Sequence, residues 1–193
     1  EGGRVVDSAW GEAGRADLYE DPAFENLKWL YNDATNSSYL VRDPDTPARK
    51  AFLSGLVLNA PIALFHPRRV LILGSGGGIE VRLARLGGAA EVDAVEVNRS
   101  AVSVVRRWTA FAGDVYDAPG VRPHAEEGRR FLASAPGTYD LIQMSLAFSA
   151  TALSGTFALA EGHLHTLEAY RLYLRRLSPG GVLAVFDATG NRA

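Results

Sequence analysis

The chain has 193 residues, enough for one domain with a sizeable core, and its 47% apolar and 22% charged residues are those of an ordinary globular protein. A net charge of −2 gives no general attraction to nucleic acid or to an anionic membrane surface. With no cysteine, disulfides, thiolate metal sites and cysteine nucleophiles are excluded, a composition that fits a reducing cytoplasm.

Lys28 and Lys50 are the only lysines; the arginines are scattered and mark no binding stripe. Every apolar run is broken by Arg, Glu or Asp before the roughly 18 residues that a membrane span needs. The opening Glu1-Gly2-Gly3 carries no signal-peptide pattern and no initiator Met, which suggests a segment of a longer protein.

Along the chain, Arg4–Ser8, Arg15–Glu20, Leu27–Tyr31 and Ser38–Val41 are β-leaning segments separated by Gly, Asp, Pro and Asn. Their spacing predicts a small antiparallel meander over residues 1–45. Asp43-Pro44-Asp45-Thr46-Pro47 then forms a stiff connector, and Phe52, Leu53, Leu56, Leu58 and Ile62 predict a helix over 48–64.

From Arg69 the pattern changes. Val70–Leu73 is a continuous apolar run, as expected of a strand buried on both faces of a parallel sheet. Strands follow at 91–97, 121–125, 139–144 and 182–186. Helices are expected at 80–86, 99–111, 128–133 and 164–177, the last ended by Ser178-Pro179-Gly180-Gly181. Repeated βα units of this length predict a Rossmann-like, doubly wound α/β domain over 46–193.

The turn Gly74-Ser75-Gly76-Gly77-Gly78 joins the first of these strands to its helix. Glycine belongs where the chain turns sharply and where a ligand approaches main chain without meeting a Cβ. A dinucleotide fingerprint would place its third glycine where Ile79 stands, and no P-loop sequence occurs. The G-x-G-x-G spacing is the one associated with S-adenosylmethionine.

Glu96, within Val95-Glu96-Val97, follows Gly78 by 18 residues and ends the second predicted strand. There a carboxylate can accept from both hydroxyls of a ribose. Glu126-Glu127-Gly128 ends the third strand. An acid there can accept from an adenine amino group or complement the dipole of the next helix.

Other chemistry is thin. His163 and His165 are spaced wrongly for a helical metal pair, His124 reads as structural, and no metal site is expected. Tyr116 and Asp117 read as solvated loop residues. Trp10, Trp29 and Trp108 read as core or domain-contact residues.

These stretches, with Tyr139-Asp140-Leu141-Ile142 and Leu177-Ser178-Pro179-Gly180-Gly181-Val182-Leu183, resemble the spermidine synthase family in order and spacing over residues 66–187. Gly14-Arg15-Ala16-Asp17 more weakly resembles that family's N-terminal β-domain. The resemblance implies a fold of the class I methyltransferase type. It also implies S-adenosylmethionine, or its decarboxylated form, at Gly74, Ser75, Gly76, Gly77 and Gly78, with ribose on Glu96 beside Val97. Adenine would lie near Glu127 and Gly128, and Ser145 would line the site. Transfer of a methyl or aminopropyl group to a small acceptor, and a homodimer, are implied with it. Some relatives of this kind are soluble domains attached to membrane proteins.

Three departures argue against ordinary spermidine synthesis. The family's Asp within the glycine turn is replaced by Gly77, and its catalytic Asp after the fourth strand by Ser145. A Tyr-His-Glu group expected before the first strand is absent, residues 51–56 reading Ala-Phe-Leu-Ser-Gly-Leu. A cationic amine needs carboxylates for affinity and a base to free its nitrogen. Methyl transfer asks for less, and a non-catalytic assembly role competes with both. The family's fold continues past the fifth strand, so that strand is expected at an exposed edge, covered by other means.

Overall fold

The structure is a computed structural model that describes residues 2–33, 36–42, 45–145 and 162–186. Asp43-Pro44 of the connector, residues 146–148 beyond the fourth predicted strand and residues 187–193 lie outside them.

The N-terminal meander forms as predicted. Strands β1 (Arg4–Gly11), β2 (Gly14–Glu20), β3 (Leu27–Asn32) and β4 (Asn36–Val41) make one antiparallel sheet in sequence order. Period-two alternation puts Ala16, Leu18, Leu30 and Leu40 on the inward face.

The helix expected over 48–64 is two short ones, α1 (Pro47–Ser54) and α2 (Ala60–Phe65), with a 3-10 turn between them and an 81° bend. Gly55 caps the first, its N–H returning to Ala51 and Phe52, and Pro61 favours a fresh start over continuation. Among the described residues no single helix is long and apolar enough to cross a membrane.

A five-stranded parallel sheet follows: β5 (Arg69–Leu73), β6 (Glu91–Val95), β7 (Val121–His124), β8 (Tyr139–Ser145) and β9 (Leu177–Phe186), in the order β7-β6-β5-β8-β9. Its helices are α3 (Ile79–Leu86), α4 (Arg99–Arg107), α5 (Thr109–Ala112), α6 (Gly128–Ser134) and α7 (Leu167–Arg175). Both sheet faces are covered. Val70 and Ile72 join a core shared with α3, α4 and the N-terminal sheet, whereas Leu71 and Leu73 face α6 and α7 through Phe131, Leu132 and Tyr173.

Three boundaries differ from the sequence reading, each for a local reason. The helix expected to reach residue 111 breaks at Trp108, whose indole N–H donates to Asp7 of β1 at 2.9 Å. Helix α7 starts at Leu167 because the Thr166 hydroxyl accepts from the Ala169 N–H. Ser178 to Gly181 do not precede β9. They form an irregularity within it, taken up between the Tyr139–Leu177 and Leu141–Val182 pairings, with Ser178 Oγ donating to Asp140 at 2.8 Å. In the described sheet β9 has a partner on one side only, as expected of an edge.

The N-terminal sheet is joined to the parallel domain by polar as well as apolar contacts. The Asp7 carboxylate also receives the Arg107 guanidinium at 2.8 and 2.9 Å. Lys28 is buried, with Nζ on Glu20 at 2.5 Å and 4.9 Å from the ring centres of both Trp108 and Phe111. Trp10 belongs to no such contact. It is 75% exposed with the Arg15 guanidinium over its ring, against the expectation of a core or domain-contact role.

Candidate functional site

The order in which successive strands are added across the parallel sheet reverses between β5 and β8, and such switch points are where open α/β sheets bind ligands, at the carboxyl ends of their strands. The glycine turn leaves β5 there. Gly74, Gly76 and Gly78 have φ of 75°, 45° and 83°, a region that side chains rarely adopt. The Gly74 and Ser75 N–H groups both reach the Val95 carbonyl, which ties the turn to the end of β6.

Glu96 is 5% exposed and points under this turn. One carboxyl oxygen accepts from the Gly76 N–H and the other from the Asn98 N–H, each at 2.9 Å. Burial pushes the carboxyl above its usual range, and these main-chain donors hold it back. Asn98 in turn accepts from the Ser100 N–H, opening α4, and its Nδ2 donates to Asn32 of β3 at 3.0 Å. The acid at the end of β6 is thus fixed in place, with lone pairs left on both oxygens.

The turn is packed by the protein along most of its length. Gly74 is exposed, while Ser75 to Gly78 are buried. The Gly77 N–H donates to Ser38 Oγ at 2.9 Å, and a Cβ at residue 77 would lie 2.4 Å from the Tyr39 carbonyl oxygen of β4. A Cβ at residue 78 would meet Val115 at 2.1 Å. Glycine at 77 and 78 is therefore required by the molecule's own packing, a reason that the sequence did not disclose.

Tyr116, expected to be solvated, is 1% exposed. Its hydroxyl donates to the Gly76 carbonyl at 2.5 Å, so the Ser75 hydroxyl, 3.0 Å away, is the donor to Tyr116. Burial first, and then the charge of Glu96, push its phenol up. Asp117 does remain at the surface, paired with Arg106.

Among the remaining positions, Val97 is exposed beside Glu96. Glu127 caps α6, its carboxylate accepting from the Arg129 and Arg130 N–H groups at 2.9 Å each. Gly128 is buried, and a Cβ there would press on Leu164 and Leu73 at 3.0 and 3.2 Å. Ser145, at the end of β8, is buried beside Glu80 of α3.

Sequence reasoning passed over Glu80, Ser38 and Tyr39 and misplaced Tyr116 as solvated. An acid in the first turn of a helix reads as a dipole partner, and the other three come from loops and strands remote in sequence. His124 sits on β7, its ring 4.4 Å from that of Phe131 and its Nε2 2.8 Å from Asp93 Oδ1. Among the described residues no group of acids and histidines could hold a metal ion.

Strand order, glycine turn and the acid after β6 together define a Rossmann-like fold of the class I methyltransferase type. Solved structures agree: a spermidine synthase in complex with the transition-state analogue AdoDATO superposes on 94% of this chain and 57% of its own, with a TM-score of 0.70 and 21% identity. Spermidine synthase from Thermotoga maritima gives a TM-score of 0.67 at 19% identity, over 94% of this chain and 56% of its own.

Curated relatives carry the comparison further. The chain is 33% identical over 131 residues to a polyamine aminopropyltransferase of Lachnoclostridium phytofermentans, covering 66% of this chain and 43% of the relative. It is 33% identical over 135 residues to polyamine aminopropyltransferase 2 of Pseudomonas aeruginosa, covering 67% and 36%. A spermine synthase of Arabidopsis thaliana matches at 24% over 172 residues, covering 86% and 46%. No family model matches. The chain spans less than half the length of these curated relatives. In sequence and fold it is spermidine synthase-like.

Proposed function

We propose that the chain is the adenosyl-binding part of a transferase that takes decarboxylated S-adenosylmethionine, or S-adenosylmethionine, as its group donor. The reading rests on one observation: the Glu96 carboxylate, buried at the end of β6, is held by the Gly76 and Asn98 N–H groups beside the β5 turn. Each oxygen accepts one N–H and retains capacity for one ribose hydroxyl. Gly74, exposed at the mouth of the turn, and Val97 would flank the nucleoside, with Glu127 and Gly128 toward its base.

The reaction would be a single displacement. A lone pair on the acceptor, an amine in the aminopropyl case, attacks the carbon attached to the sulfonium. The carbon–sulfur bond breaks with its electrons going to sulfur, and a neutral thioether leaves. The acceptor nitrogen then loses a proton to solvent or to a nearby carboxylate. Holding donor and acceptor in line supplies much of the acceleration, because the sulfonium is already a good leaving group.

Aminopropyl transfer is favoured by the relatives' chemistry. The glycine at 77 and serine at 145, where the family carries acids, favour an acceptor other than the ordinary polyamine, or methyl transfer.

Calorimetry tests the reading with four ligands: decarboxylated S-adenosylmethionine, S-adenosylmethionine, methylthioadenosine and NAD. At least one of the first two should bind, as should methylthioadenosine, and NAD should not. Glu96→Ala should weaken every adenosyl ligand tenfold or more while the fold persists. Unchanged affinity in that variant would remove the ribose assignment, and no binding by any adenosyl compound would leave an assembly role.

A further inference from the structure

We propose that Glu80, with Ser145 beside it, is the counter-ion for a cationic group of the bound substrate, supplying from α3 the acid that the turn cannot carry. This rests on the adenosyl reading above and names the charge that the site selects.

Three observations converge on it. The first is an exclusion. The Tyr39 carbonyl lies 2.4 Å from where a Cβ of residue 77 would stand, and that atom is main chain of a paired strand, unable to swing aside. No acidic side chain fits at that point of the turn.

The second is a carboxyl group without a cation. Glu80, the second residue of α3, is 7% exposed. The other buried carboxyls are well partnered: Asp93 receives Arg122, His124 and the Tyr139 hydroxyl, and Glu96 receives two main-chain N–H groups. Glu80 forms no ion pair among the described residues. Burial pushes its carboxyl up, and among the described residues the neighbouring Ser145 and its own N–H offset this in part. A buried carboxyl so poorly compensated either stays neutral or recruits a cation.

The third is the company it keeps. Ser145 Oγ is itself buried and in no well-formed hydrogen bond. It ends β8, on the far side of the switch point from Glu96. Glu96 accepts from the Gly76 N–H and Glu80 stands two residues past Gly78, so both acids adjoin the same turn. Burial first, and then Glu96 and Glu80, push the Tyr116 phenol up, as burial and then Glu80 push that of Tyr39. Two carboxyls and a buried hydroxyl around one glycine turn suit a ligand carrying an ammonium or sulfonium close to a ribose.

Glu80→Gln tests this, because it keeps shape and hydrogen bonding while removing the charge. Decarboxylated S-adenosylmethionine, which is cationic, and methylthioadenosine, which is neutral, are titrated into both proteins by calorimetry. The expected result is a loss of tenfold or more for the cation, with methylthioadenosine unchanged within about twofold. Equal affinities for the cation in both proteins would overturn the proposal and leave Glu80 a neutral structural acid. If methylthioadenosine fails to bind the unaltered protein, the adenosyl reading itself falls and this inference with it. Should the Gln variant not fold, Ser145→Ala reads the same ratio. A several-fold drop for the cation alone supports the proposal, and an unchanged ratio refutes it.

Discussion

Gly77 illustrates how much one absent side chain decides. Its φ is unexceptional, so nothing in its own backbone demands glycine; the demand comes from the Tyr39 carbonyl and the Ser38 hydroxyl of β4. Gly77→Ala should therefore destabilise the fold by about 1–3 kcal/mol, the usual cost of overpacking, seen as a lower urea midpoint at constant slope. In the sequence this residue is one glycine in a run of three. The run itself was legible as a turn after a buried strand, and Glu96 was legible by its distance from it. Tyr116 was not, because Gly, Asp and Pro around it are loop residues whether or not the loop folds inward. Glu80 was hidden for the opposite reason, since an acid in a helical first turn needs no further explanation.

Elements were read well where periodicity was strong and poorly where a tertiary contact set the boundary. The run Val70-Leu71-Ile72-Leu73 announced a strand covered on both faces, and β-leaning segments between Gly, Asp, Pro and Asn gave the four N-terminal strands. Trp108 carries no helix-breaking chemistry, and α4 stops there because Asp7, about a hundred residues earlier, captures its indole.

Helix α6 offers a separable test. Glu127→Ala removes the acceptor for two N–H groups and should cost about 1 kcal/mol of stability, measured by chemical unfolding. If the cap is its whole role, affinity for methylthioadenosine stays unchanged; if Glu127 also accepts from adenine, affinity falls with stability. The same titrations read both.

For the molecule as a whole, the buried acids divide into two kinds with opposite pH signatures. Burial pushes Asp93 up, but Arg122, His124 and Tyr139 outweigh it and hold the carboxyl below its usual value. Its stabilisation is present above the unfolded value near 3.8 and is lost as the pH falls through the lower folded one. Glu80 and Glu96 are pushed up instead. Each takes up a proton on folding once the pH exceeds about 4.5, so each lowers stability as pH rises through that window. Glu80→Gln should accordingly make the ligand-free protein more stable than the unaltered one at pH 8, with the gap closing toward pH 4.5. Urea unfolding at the two values measures it, and a gap that widens on acidification would reverse the assignment.

The meander and the parallel sheet look like separate pieces in the sequence, divided near residue 45. Yet Ser38 completes the hydrogen bonding of a glycine amide, and the Tyr39 carbonyl fills the space beside it. A polypeptide begun at residue 46 would retain every strand and crossover of the Rossmann half. Its glycine turn, however, would have one amide reaching for a vanished oxygen and an open notch where β4 had rested. Trimming at that apparent seam removes part of what holds the turn in place.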